Sequence, residues 1–131
     1  MLNFTFNHIA RSVKDVDKSA EFYQKVFGFE EIPNTASNSK TRWFSIGGGK
    51  QLHIIPRPEL EVKVNKAVHF ALCTPDIEAF IEHLDSLKVE FVDWHSTPER
   101  NYVRQDGIIQ FYFQDPDGYW IEVNNDPAGQ Q

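Results

Sequence analysis

The chain repeats itself, and the repeat constrains its fold more than any single motif. His8-Ile9-Ala10 returns as His69-Phe70-Ala71 at an offset of 61, and Phe44 and His53 return as Phe113 and Glu122 at an offset of 69. The eight residues by which the offsets differ fall in the stretch from His95 to Asp106. A single copy, at about 60 residues, is marginal for a hydrophobic core of its own. Whatever surface one copy leaves uncovered, the other leaves too, and each needs a second half to cover it.

Both copies read as strand–helix–strand–strand–strand. In the first, Phe4–Val13 has the β-branched and aromatic content of a strand. Asp15 then caps a helix whose apolar positions Val16, Ala20, Tyr23 and Phe27 recur at about one turn, and Gly28 stops it. Strands are predicted at Phe29–Ile32, Thr41–Ile46 and Gln51–Ile55, with Gly47-Gly48-Gly49 as a hairpin turn. This glycine run joins strand to strand, whereas a phosphate-binding loop leads from a strand into a helix.

The proline-broken segment Pro56–Glu61 separates the copies. The second copy has a strand over Ala67–Thr74 and a helix start at Thr74-Pro75-Asp76. Helical spacing follows at Ile77, Phe80, Ile81, Leu84 and Leu87, then strands at Glu90–Trp94, Ile108–Phe113 and Trp120–Val123. The modules thus span about residues 1–58 and 64–126 of one domain, an α+β fold of two βαβββ units.

Composition narrows the function. A net charge of −6 over 131 residues disfavours nucleic acid and anionic membranes as partners. No apolar run approaches the ~20 residues of a membrane helix and no leader is visible, so a cytoplasmic protein is expected. A single cysteine, Cys73, excludes an intramolecular disulfide framework and a cysteine-rich zinc ribbon.

Side chains alternate across a strand. His8, His53, His69 and Glu122 occupy equivalent first and last strands of the two copies, and their neighbours are mostly apolar residues suited to the helix side. All four then lie on the face the helices leave bare. A lone strand histidine is most often structural. Three imidazoles and a carboxylate on matching strands form a polar cluster that is costly unless compensated. A divalent metal compensates it, and nitrogen and oxygen donors suit zinc, nickel, iron or manganese.

Further motifs are Asn7-His8-Ile9-Ala10, the run Ser19–Phe29, Val68-His69-Phe70-Ala71 and the stretch Phe113-Gln114-Asp115-Pro116-Asp117-Gly118-Tyr119-Trp120-Ile121-Glu122. From about Phe4 to Asn124 the chain resembles the vicinal oxygen chelate superfamily of glyoxalases, bleomycin-resistance proteins and dioxygenases. The resemblance implies paired βαβββ modules forming a cup around a divalent metal, zinc or nickel first. It also implies ligands at His8, His53, His69 and Glu122, and a small-molecule substrate bound through adjacent oxygens. In pattern the chain is most similar to glyoxalase I, which implies Glu122 as the base beside a carbonyl and a homodimeric assembly.

Two positions depart from glyoxalase I: His53 stands where Glu or Gln is common, and Ser12 stands where a bacterial arginine grips glutathione. The alternatives are a fosfomycin-type thiol transferase, an extradiol dioxygenase or a non-catalytic binding protein. Parity puts Trp43, Gln51, Tyr112 and Trp120 on the ligand face as candidate substrate walls. The inserted stretch, with Pro98, Glu99, Arg100, Asn101, Tyr102 and Arg104, supplies Arg100 and Arg104 as candidates to close over an anionic substrate.

Overall fold

The computed structural model describes residues 2–97, 99–100 and 102–130; Pro98 and Asn101 of the inserted stretch lie outside the described residues. The chain divides into two compact units that part between Glu61 and Val62. The first holds β1 (His8–Val13), α1 (Val16–Phe27), β2 (Glu30–Ile32), β3 (Arg42–Gly47) and β4 (Lys50–Pro56). The second holds β5 (His69–Cys73), α2 (Ile77–Ser86), β6 (Gln110–Gln114), β7 (Trp120–Asn124) and a 3-10 turn at Pro127–Gln130. The fold is α+β, with two helices and two mixed sheets ordered β1-β4-β3-β2 and β5-β7-β6.

The repeat survives to the level of register. In each unit the first strand runs parallel to the last and the strand just before the last runs antiparallel to it. Ala10 lies beside His53 and Ala71 beside Glu122, while Trp43 pairs with His53 and Tyr112 with Glu122.

The helix side of each sheet is the core. Ser19, Ala20, Tyr23 and Val26 of α1 are buried, as are Val13, Phe44, Leu52 and Ile54 of its sheet. In the second unit Ile77 and Leu84 of α2 are buried with Phe111, Phe113, Ile121 and Val123, and Phe80 stacks on Phe111 with ring centroids 6.2 Å apart.

Local chemistry explains the breaks. The Asp15 carboxylate accepts from the backbone N–H groups of Asp17 and Lys18, and Gly28 closes α1 at φ 69°. Gly48 and Gly49, at φ 60° and 77°, form the two-residue turn joining β3 to β4, a backbone that glycine adopts without steric cost.

Four sequence expectations are corrected. The first strand begins at His8, not Phe4, because Gln51 N–H already bonds to Asn7 and β4 turns away just before Lys50. Phe4 and Phe6 accordingly remain 84% and 60% exposed. The fifth strand begins at His69, since Asn65–Val68 closes as a turn. The cap of α2 is Asp76, whose side chain accepts from Ala79 N–H, with Pro75 outside the helix.

Last, Glu90–Trp94 forms no strand: only Val92 bridges to Tyr112. The Asp93 carboxylate takes the N–H and hydroxyl of Thr97 at 2.8 and 2.5 Å and curls the chain away from the ladder. The outermost strand of the second sheet is therefore reduced to one bridge.

Asp15→Ala removes both capping bonds from an exposed position and should lower the unfolding free energy by about 1 kcal/mol, with Asp15→Asn near neutral. Urea titrations of the three proteins check this.

Candidate metal and substrate site

β1, β3 and β4 present His8, Trp43, Gln51 and His53 on the face away from α1. The rings stack in series: Trp43 on His53 with centroids 4.1 Å apart and 3° between planes, then His53 on His8 at 4.1 Å and 16°. His53 Nε2 donates to Gln51 Oε1 at 2.8 Å, and His8 Nδ1 donates to Asn7 Oδ1 at 2.6 Å. Burial, and secondarily the adjacent His8, push the His53 imidazole below its ordinary pKa. A neutral ring is the form that binds a metal.

The second unit carries the denser network. Glu122 is buried, with Oε1 accepting from the Tyr112 hydroxyl at 2.8 Å and Oε2 from Asn124 Nδ2 at 2.7 Å. Gln110 Nε2 donates to the Tyr112 oxygen at 3.2 Å, and Arg104 donates to Gln110 Oε1 at 3.3 Å. His69 Nε2 stands 3.3 Å from Glu122 Oε1, while its Nδ1 lies 2.8 Å from the Lys66 carbonyl. A carbonyl only accepts, so Nδ1 carries the proton of that bond and Nε2 is the nitrogen turned toward the carboxylate.

Two electron-rich atoms at that separation need a cation between them or a proton on the nitrogen. The donors thus fit a divalent ion by their chemistry: an imidazole oriented through its far nitrogen and a carboxylate fixed by its own hydrogen bonds. Among the described residues no three His, Cys, Asp or Glu side chains cluster as a metal-holding group. The expected ligands come together in pairs, His8 with His53 and His69 with Glu122.

The candidate walls divide as follows. Trp43 and Gln51 contact His53, and Tyr112 contacts Glu122. Trp120 lies beside His69 in register, with its ring 4.9 Å from Lys66 Nζ. Arg104 pairs with Asp106 and reaches the network through Gln110. Arg100 is not brought to this face: its guanidinium lies 3.7 Å from the centroid of Phe91, a buried ring packed on Phe111, and bonds to Asp85. Arg11 pairs in register with buried Ile54, on the helix side.

Sequence reading missed Lys66, Trp94, Gln110 and Asn124. Strand parity could have found the last two, which share a face with Tyr112 and Glu122. Nothing local points to Lys66 or Trp94, which meet across the gap between a turn and a loop distant in sequence.

A model of the Glyoxalase/Bleomycin resistance protein/Dioxygenase superfamily matches residues 5–123. The chain is 30% identical to "Glyoxylase I 4" of Arabidopsis thaliana, over 92% of this chain and 70% of that protein. It is also 30% identical to the fosfomycin resistance protein FosX of Listeria innocua, over 90% of this chain and 86% of that one. The crystal structure of FosX from Listeria monocytogenes, in its hexagonal form, superposes with a TM-score of 0.73 at 27% identity, covering 99% of this chain and all of that one (100%). No helix of the described residues is long and apolar enough to cross a membrane.

The Tyr112 hydroxyl makes a pH prediction. Burial first, then the hydrogen bond and charge of Glu122, raise its pKa above the ordinary 10.0. Above pH ~10 the unfolded chain loses this proton while the folded protein keeps it, so the unfolded state binds fewer protons and stability falls as pH rises. Tyr112→Phe should flatten that fall between about pH 10 and 11.5 and, near pH 7, cost about 1.5–3 kcal/mol through the lost bond to a charged acceptor. Denaturant titrations of both proteins across the two pH ranges test the sign.

Proposed function

Because the chain belongs to the Glyoxalase/Bleomycin resistance protein/Dioxygenase superfamily, we propose that it is a metal-dependent enzyme of the glyoxalase I kind, a lyase or isomerase. Its reaction moves a proton next to the carbonyl of a small carbonyl or thiohemiacetal substrate. The observation that carries this reading is the His69–Glu122 pair, an oriented imidazole nitrogen 3.3 Å from a fixed carboxylate oxygen. His8 and His53 stand on the equivalent strands of the first sheet and complete the proposed donor set. The reading includes a homodimer, since each sheet has one helix and a polar face that needs a cover.

A divalent ion held by this set, zinc or nickel before iron or manganese, would supply Lewis-acid polarisation of the substrate carbonyl. The chain's own groups do the rest. Glu122 is the one carboxylate among the donors, so it accepts a proton from carbon without the loss of an imidazole. Tyr112 and Asn124 hold its two oxygens in a fixed plane. Trp43, Gln51 and Trp120 offer aromatic and amide surface to a small substrate. Ser12 lacks the charge that grips a glutathione carboxylate, so a carbonyl compound other than a glutathione adduct is the preferred substrate.

One observation favours a second reading. Glu122 is tethered at both oxygens, and His53 Nε2 is committed to Gln51. A doubly tethered carboxylate suits a fixed ligand better than a mobile base. A set of His8, His69 and Glu122 alone is the one that the resemblance to fosfomycin-type thiol transferases implies.

The test uses protein purified without a histidine tag. Metal content is measured, then turnover of a 2-oxoaldehyde–glutathione adduct, of other small carbonyl compounds, of a phosphonate epoxide with thiol, and of a catechol with ferrous iron. The first reading expects isomerisation, slow with the glutathione adduct, together with loss of most bound metal in His69→Ala. It also expects a drop of about 10²–10⁴-fold in turnover for Glu122→Gln. Thiol addition without isomerisation selects the second reading. Ring cleavage, or equal activity of wild type and Glu122→Gln, contradicts the proposed base.

A further inference from the structure

Lys66 bonds to the His69 imidazole through its backbone and to the loop beside it through its side chain. Its carbonyl accepts the His69 Nδ1 proton at 2.8 Å. Its side chain runs the other way, and Nζ donates to the carbonyls of Asp93 and Trp94 at 2.6 and 2.8 Å and to Ser96 Oγ at 2.9 Å. Those three acceptors use all three ammonium donors, so Lys66 is not a free cation awaiting an anionic ligand. The same Nζ lies 4.9 Å from the Trp120 ring, 5.1 Å from Tyr112 and 5.7 Å from Trp94, within cation–π range of each. Two of these rings also meet His69 edge-on, Tyr112 at 5.3 Å and Trp94 at 6.4 Å.

The loop it holds is strained at the point of contact. Ser96 has φ 57°, a left-handed backbone that a residue with a Cβ adopts at a cost. Asp93 ties the loop from within through Thr97, and Lys66 ties it to the turn that precedes β5. The carbonyl that orients His69 belongs to that same turn, where Val68 N–H bonds to Asn65 and Ala67 N–H to the Asn65 side chain.

We propose that Lys66 is a positioning residue: its ammonium, latched to the 93–96 loop inside the Trp94–Tyr112–Trp120 cluster, fixes its own carbonyl where it holds His69 in the Nδ1–H tautomer, with Nε2 presented to Glu122. The metal-binding consequence rests on the proposed function; the tautomer itself does not. The mechanism is geometric. Every substitution at this position keeps the backbone carbonyl, so the effect of a variant measures the latch and not the loss of the acceptor.

The test is nitrogen NMR of the histidine rings in metal-free protein at pH 8, for wild type, Lys66→Met, Lys66→Arg and Ser96→Ala, with zinc affinity measured on each. Wild-type His69 should show a proton held on Nδ1 and exchanging slowly. Lys66→Met should show mixed tautomers and about 10–100-fold weaker zinc binding, the usual cost of losing the partner that orients a ligand. Lys66→Arg should restore the wild-type pattern in part, and Ser96→Ala, which removes one of the three acceptors, should shift it in the direction of Lys66→Met. An unchanged tautomer in Lys66→Met, or in Ser96→Ala if the former does not fold, overturns the proposal. Mixed tautomers in Lys66→Met beside a wild type that binds no zinc uphold the positioning role and sink the metal reading alone.

Discussion

Each sheet in this protein has two faces and only one helix of its own, and that mismatch organises everything else. The helix covers one side with Phe44, Leu52 and Ile54 in the first unit and Phe111, Phe113 and Ile121 in the second. Strand alternation then dictates what the other side can carry. A residue at every second position is free of the demand to be apolar, and in both units those positions hold aromatic, amide and imidazole groups, with the Glu122 carboxylate in the second. A chemically equipped face thus follows from the same pattern that builds the core.

Within the second unit that face is held by hydrogen bonds that leave little freedom. Glu122 accepts at both oxygens, Tyr112 gives its proton to Glu122 and accepts from Gln110, and His69 is turned by the Lys66 carbonyl. Such a network is costly to build half-way, because each buried polar atom left without a partner forfeits its hydration. The first unit solves the same problem by stacking: His53 lies between Trp43 and His8, and its ring nitrogen meets Gln51. One face is therefore fixed by polar contacts and the other largely by ring contacts, although their registers match.

How much of this was legible in the sequence follows from range. The repeat, the α1 caps, the glycine hairpin and the parity of His8, His53, Tyr112 and Glu122 depend on neighbours within a few residues or on strict alternation, and all are readable. The strand expected at Glu90–Trp94 is reduced to the Val92 bridge because, just past it, the Asp93 carboxylate turns the chain through Thr97 and Lys66 takes the carbonyls of Asp93 and Trp94. The strand expected from Phe4 ran past the end of its ladder partner, a limit set by the turn at Gly48-Gly49 far along the chain. Lys66 was illegible for a plainer reason: a lysine before a strand reads as solvated, and only the fold brings the loop that captures it.

The central claim is that imidazoles and one carboxylate from these matched strands hold a divalent ion. X-ray absorption at the zinc edge, on protein loaded with one equivalent of zinc, addresses it directly. The account predicts only nitrogen and oxygen neighbours at about 2.0–2.1 Å, with the outer-shell pattern of several imidazole rings. A sulfur neighbour at about 2.3 Å would bring in Cys73 and contradict the assignment, as would a protein that retains no zinc after dialysis.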